Sequence, residues 1–293
     1  MHRSSSITAL ALVLVNVILI VNAWAADLPW NLVLGADPAK LTPEQKTRAA
    51  KILENEFSDF GCDDTIAACL TDTPQGRTAQ RRAGLVLRFV LAGKSDKEIA
   101  QALLDRAKSV HPLKPATIVT EGRVRLGAPP ERTKVTVVEF ADFQCPYCTV
   151  ISPILEKLVR ARKDRVAFVW KHFPVRGHER SVPSAVASEA AARQDKFWVI
   201  HDVFYENRFD LDDDDIEEYA KRVGVDLARF RRDLGDSSIL KKIETDKIEG
   251  LKLRVKGTPT IFVNGKQFLG YKDEAELADR IDEELDIVEG RIK

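Results

Sequence analysis

The stretch Phe140-Ala141-Asp142-Phe143-Gln144-Cys145-Pro146-Tyr147-Cys148 decides the fold, because a buried strand ends in it and a helix begins in it. Residues 134–140 are rich in β-branched side chains, which predicts a buried strand. Residues 146–163 suit a helix, and Pro146 fits its first turn, where a missing N–H has no helical partner to lose. Cys145 is therefore predicted to lie at the N-terminus of a helix.

The Cys-x-x-Cys spacing at this helix start indicates redox chemistry. Unpaired N–H groups and the helix dipole stabilise an anion, so the pKa of Cys145 should fall from about 8.5 towards roughly 3.5–7. Cys145 is expected to present an exposed attacking sulfur. Cys148 lies one turn further on, where it should be less exposed and able to attack a mixed disulfide at Cys145. Zinc is the alternative, but it needs two more ligands, such as His172 and His178. No compact Cys/His cluster recurs, so no metal is expected.

Strand and helix patterns alternate from about Thr117 onward. Residues 166–170 suit a second strand, and helical stretches dominate residues 178–249. Residues 260–269 form a predicted hairpin around Asn264-Gly265, a strong type I′ turn signal, and a helix follows from about Glu274 to Val288. This order predicts the α/β class, with helices covering a central sheet.

These motifs resemble the thioredoxin superfamily, specifically the DsbA-like branch of exported disulfide oxidoreductases, over roughly residues 117–288. Besides Cys-Pro-Tyr-Cys, the matching pieces are Val138-Glu139-Phe140, Lys171-His172-Phe173-Pro174, Lys196-Phe197-Trp198-Val199-Ile200-His201-Asp202 and Gly257-Thr258-Pro259-Thr260. The resemblance implies a thioredoxin-like fold with a helical insertion, preceded here by a small all-α, three-helix domain. It also implies catalysis without a cofactor.

Four further residues receive roles from this resemblance. Pro259 would be the cis-proline facing the cysteines, and with Thr258 it would pair through its backbone with an extended substrate segment. Glu139 would be the buried acid that moves protons near Cys148, and Pro153 would kink the active-site helix. The alternatives are a trans turn proline at 259 and an exposed strand residue at 139.

The amino-terminal part is predicted to be helical over residues 42–108. Thr42-Pro43-Glu44-Gln45 reads as a capping box, and a first helix should continue to Gly61. Its apolar side chains follow helical spacing at Ala49, Ile52, Leu53, Phe57 and Phe60. A second helix is predicted from Thr78 to Ala92, and a third begins at the capping box Ser95-Asp96-Lys97-Glu98.

Residues 91–99 resemble the three-helix domain of CcmH-type cytochrome c maturation proteins. The chain departs from that family's Cys-x-x-Cys, because Cys62 and Cys69 are seven residues apart. On one straight helix their Cα atoms would be about 10.5 Å apart, so a disulfide requires a break in the helix. A stapling disulfide, a second redox pair and free or intermolecular thiols all stay open.

Composition and the first residues suggest an exported protein. The 293 residues carry 45 basic and 45 acidic side chains, and this balance argues against nucleic-acid binding. Arg3, an apolar run over residues 7–21 and Ala23-Trp24-Ala25 are typical of a secretory signal cleaved after Ala25, with an uncleaved anchor as the alternative. The predicted divisions are a signal peptide over 1–25, a lead-in over 26–41, the helical domain over 42–108, a linker over 109–116 and the DsbA-like domain over 117–293.

Two other polar features have ordinary structural interpretations. His201 lies in an aromatic stretch and is expected to be packed, with a substrate-groove role less favoured. Residues 212–215, four aspartates, precede a predicted helix, where capping is expected rather than calcium binding.

The predicted activity is disulfide exchange with extracytoplasmic proteins through Cys145 and Cys148, in the periplasm or otherwise outside the cytoplasm. The same residues serve an oxidase, an isomerase or a reductase, and the direction depends on the redox potential and on a membrane partner that resets the pair. The alternative is an assembly module in which the helical domain captures a dedicated client such as an apocytochrome. That domain is also a candidate for homo-oligomerisation.

Overall fold

The computed structural model describes residues 28–59 and 61–292. The predicted signal peptide and Phe60 lie outside these residues. The described residues divide into two compact units, one made of residues up to 108 with those from 285 onward, and the other of residues 109–284. Among the helices of the described residues, none is both long and apolar enough to cross a membrane.

The first unit contains short 3-10 helices at Trp30–Leu32 and Pro38–Lys40, followed by helices α1 (Pro43–Asn55), α2 (Arg77–Leu91) and α3 (Asp96–Val110). The capping box of α1 is present: the N–H of Gln45 donates to Thr42 Oγ1 at 3.2 Å, and Thr42 N–H donates to Gln45 Oε1 at 2.9 Å. Helix α3 runs beyond residue 108 into the segment predicted as a linker. Apolar side chains from all three helices form one core, including Leu53, Val86 and Ile99.

The prediction that the first helix reaches Gly61 is wrong. Helix α1 ends at Asn55, and Phe57 is 72% exposed instead of packed in the core. Phe57 pairs with Thr65 in an isolated antiparallel bridge, because the chain reverses after residue 56. This reversal brings the Cα atoms of Cys62 and Cys69 to 6.0 Å, and their sulfur atoms are bonded.

The second unit is built on a five-stranded sheet in the order β1-β3-β2-β4-β5. The strands are β1 (Arg125–Gly127), β2 (Val135–Ala141), β3 (Val166–His172), β4 (Thr260–Val263) and β5 (Lys266–Gln267). The central pair β2 and β3 is parallel, and the other pairs are antiparallel. Six of the seven β2 residues and all seven β3 residues are buried, as expected for central strands covered on both faces.

Seven helices of the described residues accompany this sheet, and the last of them continues into residues of the first unit. They are α4 (Cys148–Arg160), α5 (Ser181–Ala192), α6 (Phe197–Glu206), α7 (Asp213–Arg222), α8 (Leu227–Leu234), α9 (Ser237–Lys252) and α10 (Glu274–Val288). A further 3-10 helix spans Pro130–Arg132. The thioredoxin-like α/β architecture with a helical insertion, α5 to α9, is as predicted.

Helices α4 and α9 lie on opposite faces of the sheet. Successive strand residues point to opposite faces. Glu139 of β2 contacts Ser152 of α4, whereas a Cβ added to Gly250 of α9 would come within 3.2 Å of the ring of Phe140. The redox motif therefore lies on the Glu139 face.

Candidate active site

The loop between β2 and α4 is held by the buried carboxylate of Asp142. Its Oδ2 accepts hydrogen bonds from Val175 N–H at 2.8 Å and Ser181 Oγ at 2.6 Å, and His178 Nδ1 lies 2.9 Å away. The Asp142 carbonyl accepts from the N–H of Cys145 at 3.1 Å. Several donors from a distant loop therefore fix the segment that presents Cys145.

An aromatic cluster packs against this loop. Phe143 stacks on Trp170 of β3, with ring centroids 5.2 Å apart, and meets Phe204 of α6 edge to face at 5.3 Å. Phe143, Trp170 and Phe204 are all buried. Rigid rings packed on both β3 and α6 hold the residue two positions before Cys145 in place.

Cys145 lies three residues before the first residue of α4, and its side chain is favoured as a thiolate. A hydrogen bond with the Cys148 thiol, and further ones with Thr258 and with N–H groups of the helix start, lower the pKa of Cys145 to about 6, although burial opposes this. As a thiol, its Sγ contacts the carbonyl oxygen of Thr258 at 3.2 Å. The sequence predicted the low pKa but also an exposed sulfur, and the residue is only 3% exposed.

Cys148 has the opposite character. It is the first residue of α4 and has no exposed surface. Burial raises its pKa well above the ordinary range, and its hydrogen bond to Cys145 and the charge of Glu139 act in the same direction. The pair therefore combines one ionised sulfur and one protonated sulfur at neutral pH.

Glu139 is completely buried on β2. Burial, with smaller effects from the charges of Cys145 and Glu156, raises the pKa of Glu139 to about 8 against an opposing hydrogen bond. That bond comes from Ser152 Oγ, which donates to Glu139 Oε2 at 2.8 Å. A carboxyl group with this pKa can both release and accept a proton near neutral pH.

The peptide bond Thr258–Pro259 is cis, as the resemblance implied. It precedes β4, and Pro259 is buried while Thr258 is partly exposed. The 3.2 Å contact between Thr258 and Cys145 brings this segment beside the redox motif. Pro153 lies within α4, as expected.

The remaining predicted polar residues have structural contacts. His172 Nε2 lies 3.1 Å from Glu189 Oε1, and His178 contacts Asp142 as described. His201 is packed, as expected: it is fully buried, and its Nδ1 lies 2.8 Å from Asp202 Oδ1. In residues 212–215 a reciprocal capping box begins α7, which confirms the capping interpretation.

Sequence reasoning did not identify Asp142, Ser152 or Tyr205 as part of this site. Ser152 follows Cys148 by four residues, a spacing that puts both on one helix face, so a signal for it was present. Asp142 and Tyr205 carried no such signal, because their partners come from distant segments.

Comparison with known proteins agrees with this geometry. A sequence model described as thioredoxin matches residues 120–283. The structure of oxidised BdbD from Bacillus subtilis is 27% identical and covers 58% of this chain and 97% of its own, with a TM-score of 0.50. The catalytic domain of ScsC from Proteus mirabilis is 26% identical over 63% of this chain and 97% of its own, also with a TM-score of 0.50. The thiol-disulfide exchange protein α-DsbA2 from Wolbachia pipientis, at 21% identity and TM-score 0.51, shares the fold.

The curated relatives are longer than this chain, which matches only a part of each of them. The Na(+)/H(+) antiporter NhaA 3 of Salinispora tropica is 40% identical over 148 residues, which is 50% of this chain and 22% of the relative. NhaA 1 of Mycobacterium sp. strain KMS is 30% identical over 228 residues, or 74% of this chain and 36% of the relative. The chain thus spans only 22% and 36% of the length of these two relatives.

Proposed function

Because the chain belongs to the thioredoxin superfamily as a DsbA-like thiol–disulfide oxidoreductase, we propose that it exchanges disulfides with exported proteins through Cys145 and Cys148. The observation that supports these two residues is the contrast between them. Cys145 has a pKa of about 6, and the buried Cys148 has a strongly raised pKa. Disulfide exchange needs a stable leaving thiolate and a resolving thiol within reach of it.

In the oxidising direction a substrate thiolate attacks Sγ of Cys145 in the Cys145–Cys148 disulfide. A substrate–Cys145 disulfide forms, the bond to Cys148 breaks, and Cys148 leaves as a thiolate. Protonated Glu139 gives its proton to that sulfur. A second substrate thiolate then attacks the substrate sulfur of the mixed disulfide and releases Cys145 as a thiolate, so two electrons pass from the substrate to the enzyme.

In the isomerising direction the reduced Cys145 thiolate attacks a substrate disulfide. Cys148 resolves the mixed disulfide when the substrate does not, and it gives its proton to ionised Glu139. The pKa of about 8 suits Glu139 to both directions.

The cis-proline segment is the proposed docking site for substrate. The backbone of Thr258 and Pro259 pairs with an extended segment in the manner of an added strand. Its position beside Cys145, at 3.2 Å, supports this role because a bound segment would present its cysteine to the reactive sulfur.

Export, partners and the amino-terminal region complete the proposal. The basic, apolar and small-residue pattern of the first 25 residues supports cleavage after Ala25 and a periplasmic or other extracytoplasmic location. A membrane redox partner resets the pair. Residues 42–108, whose last helix α3 runs on to Val110, form a helical domain that recruits a client or a second copy of the chain. Size-exclusion chromatography with light scattering tests the second copy, which a strictly monomeric protein contradicts.

A redox titration against glutathione, with mass spectrometry of each cysteine pair, tests the central proposal. A Cys145–Cys148 potential near about −120 mV indicates a strong oxidant, and one near about −270 mV a reductase. A pair that never forms, or never opens, contradicts the proposal.

A client trap tests the substrate class. Cys148→Ala should accumulate mixed disulfides through Cys145, and the matched control Cys145→Ala/Cys148→Ala should accumulate none. Many trapped proteins support a general oxidoreductase, whereas one or two support the dedicated assembly module.

A further inference from the structure

Glu139 is buried, so each proton that it exchanges with Cys148 needs a way to and from water. Its neighbours across the sheet are Trp170 on β3 and Ile261 on β4, and neither side chain titrates. The neighbouring strands therefore offer Glu139 no titratable side chain as a proton partner. The inference that follows rests on the proposed role of Glu139.

A chain of hydroxyl groups begins at Glu139. Ser152 Oγ is 2.8 Å from Glu139 Oε2, and the same Oγ lies 3.4 Å from the hydroxyl of Tyr205. Ser152 is fully buried and Tyr205 is 4% exposed. A hydroxyl both donates and accepts, so Ser152 and Tyr205 can pass a proton by reorienting their O–H bonds.

Tyr205, the last residue of this chain of hydroxyl groups, lines a cavity between α4 and α6. The cavity has a volume of about 560 Å³ and is also lined by Thr149, Pro153 and Glu156. Pro153 has no N–H, so the Thr149 carbonyl, four residues earlier, lacks that helical donor. A space of this size, lined by residues that carry hydroxyl and carboxylate groups, can hold ordered water.

We infer that Ser152 and Tyr205 form the proton route that connects Glu139 to water in the cavity between α4 and α6. When Cys148 takes a proton from Glu139, Tyr205 accepts one from cavity water and donates its own to Ser152, which donates its own to Glu139. When Glu139 accepts a proton from Cys148, the three transfers run in reverse. Both are positioning residues, because they act on Cys148 only through Glu139.

The charged and titratable groups around Glu139 fit this assignment. The charges of Cys145 and Glu156 act on Glu139 from the side of the active-site loop and α4. The charge of Glu139 in turn raises the pKa of Cys148 and, on α6, that of Tyr205. Burial raises the pKa of Tyr205 well above its usual range, so its hydroxyl stays protonated. Because it does not ionise near neutral pH, this hydroxyl can pass a proton on without changing its own charge.

The test follows the proton on Glu139 directly by infrared spectroscopy of the full chain. At about pH 6 the carboxyl group is protonated, since its pKa is about 8. The Glu139→Gln variant identifies its C=O band, and rapid transfer into D₂O gives the lifetime of the proton. We expect Ser152→Ala and Tyr205→Phe each to lengthen that lifetime at least about tenfold.

Two control variants remove hydroxyl groups elsewhere in the same unit. Ser184→Ala deletes a buried hydroxyl that bonds only backbone carbonyls, and Tyr219→Phe deletes a hydroxyl on α7. Both should keep the wild-type lifetime, and backbone amide exchange should be equal in all variants. A wild-type lifetime in Tyr205→Phe overturns the route, even if Ser152→Ala is slow.

Failure of the route is distinct from failure of the proposed function. The same samples are equilibrated with glutathione. If the wild-type pair exchanges and Tyr205→Phe keeps the wild-type proton lifetime, only the route is wrong. If the wild-type pair does not exchange, the proposed function is wrong, whatever the infrared lifetimes show.

Discussion

The thiolate of Cys145 depends first on its neighbour in the motif. Because the hydrogen bond with Cys148 is the largest influence that lowers the pKa of Cys145, Cys148→Ala should raise that pKa from about 6 by roughly one to two units. The ultraviolet absorbance of the thiolate against pH measures it. Cys145→Ala is the matched control, in which Cys148 should titrate above an ordinary cysteine. An unchanged pKa in Cys148→Ala would mean that Thr258 and the N–H groups are enough to keep the pKa of Cys145 low.

Ionisation of Glu139 should also govern stability. Its pKa is about 8 in the folded chain and about 4.5 as an ordinary glutamate. Below about pH 4.5 the Glu139 carboxyl group is protonated in both the folded and the unfolded chain. Between about 4.5 and 8 only the unfolded state ionises, so the free energy of unfolding falls as the pH rises, by a few kcal/mol in total.

Glu139→Gln removes this dependence, because an amide keeps a hydrogen bond with Ser152 and does not ionise. In urea unfolding with Cys145 and Cys148 kept reduced, the variant should match the wild type near pH 4.5 and exceed it by roughly 2–4 kcal/mol near pH 9. A constant difference across this pH range would show that the burial of an ionisable carboxyl group is not the cause.

Single residues were predictable where the chemistry was local. Cys145 and Cys148 follow from spacing and a helix start, and the family motif implied the place of Glu139. Asp142 and Tyr205 were not predictable, because Asp142 works through Val175 and Ser181, and Tyr205 through Ser152 across 53 residues. Contacts at such separation exist only in the folded chain.

Among the elements, the hairpin between β4 and β5 depends on its glycine. Gly265 has a φ of +76°, and a Cβ there would come within 2.1 Å of the carbonyl oxygen of Ala116. Gly265→Ala should therefore cost about 2–4 kcal/mol, from the left-handed backbone and the clash together.

Gly122 is the matched control for that hairpin. It has a φ of +66° with nothing within 4 Å of an added Cβ, so Gly122→Ala should cost only about 1 kcal/mol. Denaturant unfolding followed by tryptophan fluorescence compares the two. Equal losses would show that the backbone angle alone sets the cost.

The elements that were predicted well are those whose formation depends on residues close in the sequence. The predicted bounds of α10 are those of the structure, and the Asn264-Gly265 turn has both φ angles positive. Strand β1 has three residues, too few for a visible alternation, and it exists because it pairs with β3. Helix α1 ended early because the chain reverses towards Cys69, which no helical spacing reveals.

At the scale of the whole molecule, the Cys62–Cys69 disulfide can have a structural role or a redox role, and removing it distinguishes the two. Its loop is short, with a separation of seven residues, so Cys62→Ala/Cys69→Ala should lose about 2.5 kcal/mol of stability. Hydrogen exchange of peptides from α2 reports this loss. The glutathione equilibrium of Cys145–Cys148 should not move; a shift would favour the second redox pair.

The general plan of the chain, helical first and α/β afterwards, was visible in the change of pattern near Thr117. The helical insertion was visible only as helical stretches over residues 178–249 without bounds for the single helices, because short helices such as α8 end at positions fixed by their neighbours. The two compact units meet along the sequence at residues 108–109 and again at residues 284–285. The return of residues 285–292 to the first unit has no local signal.

The burial of Cys145 has a consequence for the conformation in which a substrate can react with it. A cysteine on the rigid surface of a finished protein cannot bring its sulfur to a residue that is only 3% exposed. An unfolded, extended segment of chain can do so. We therefore expect Cys145 to react with cysteines in unfolded chains and to ignore the same cysteines once those chains have folded.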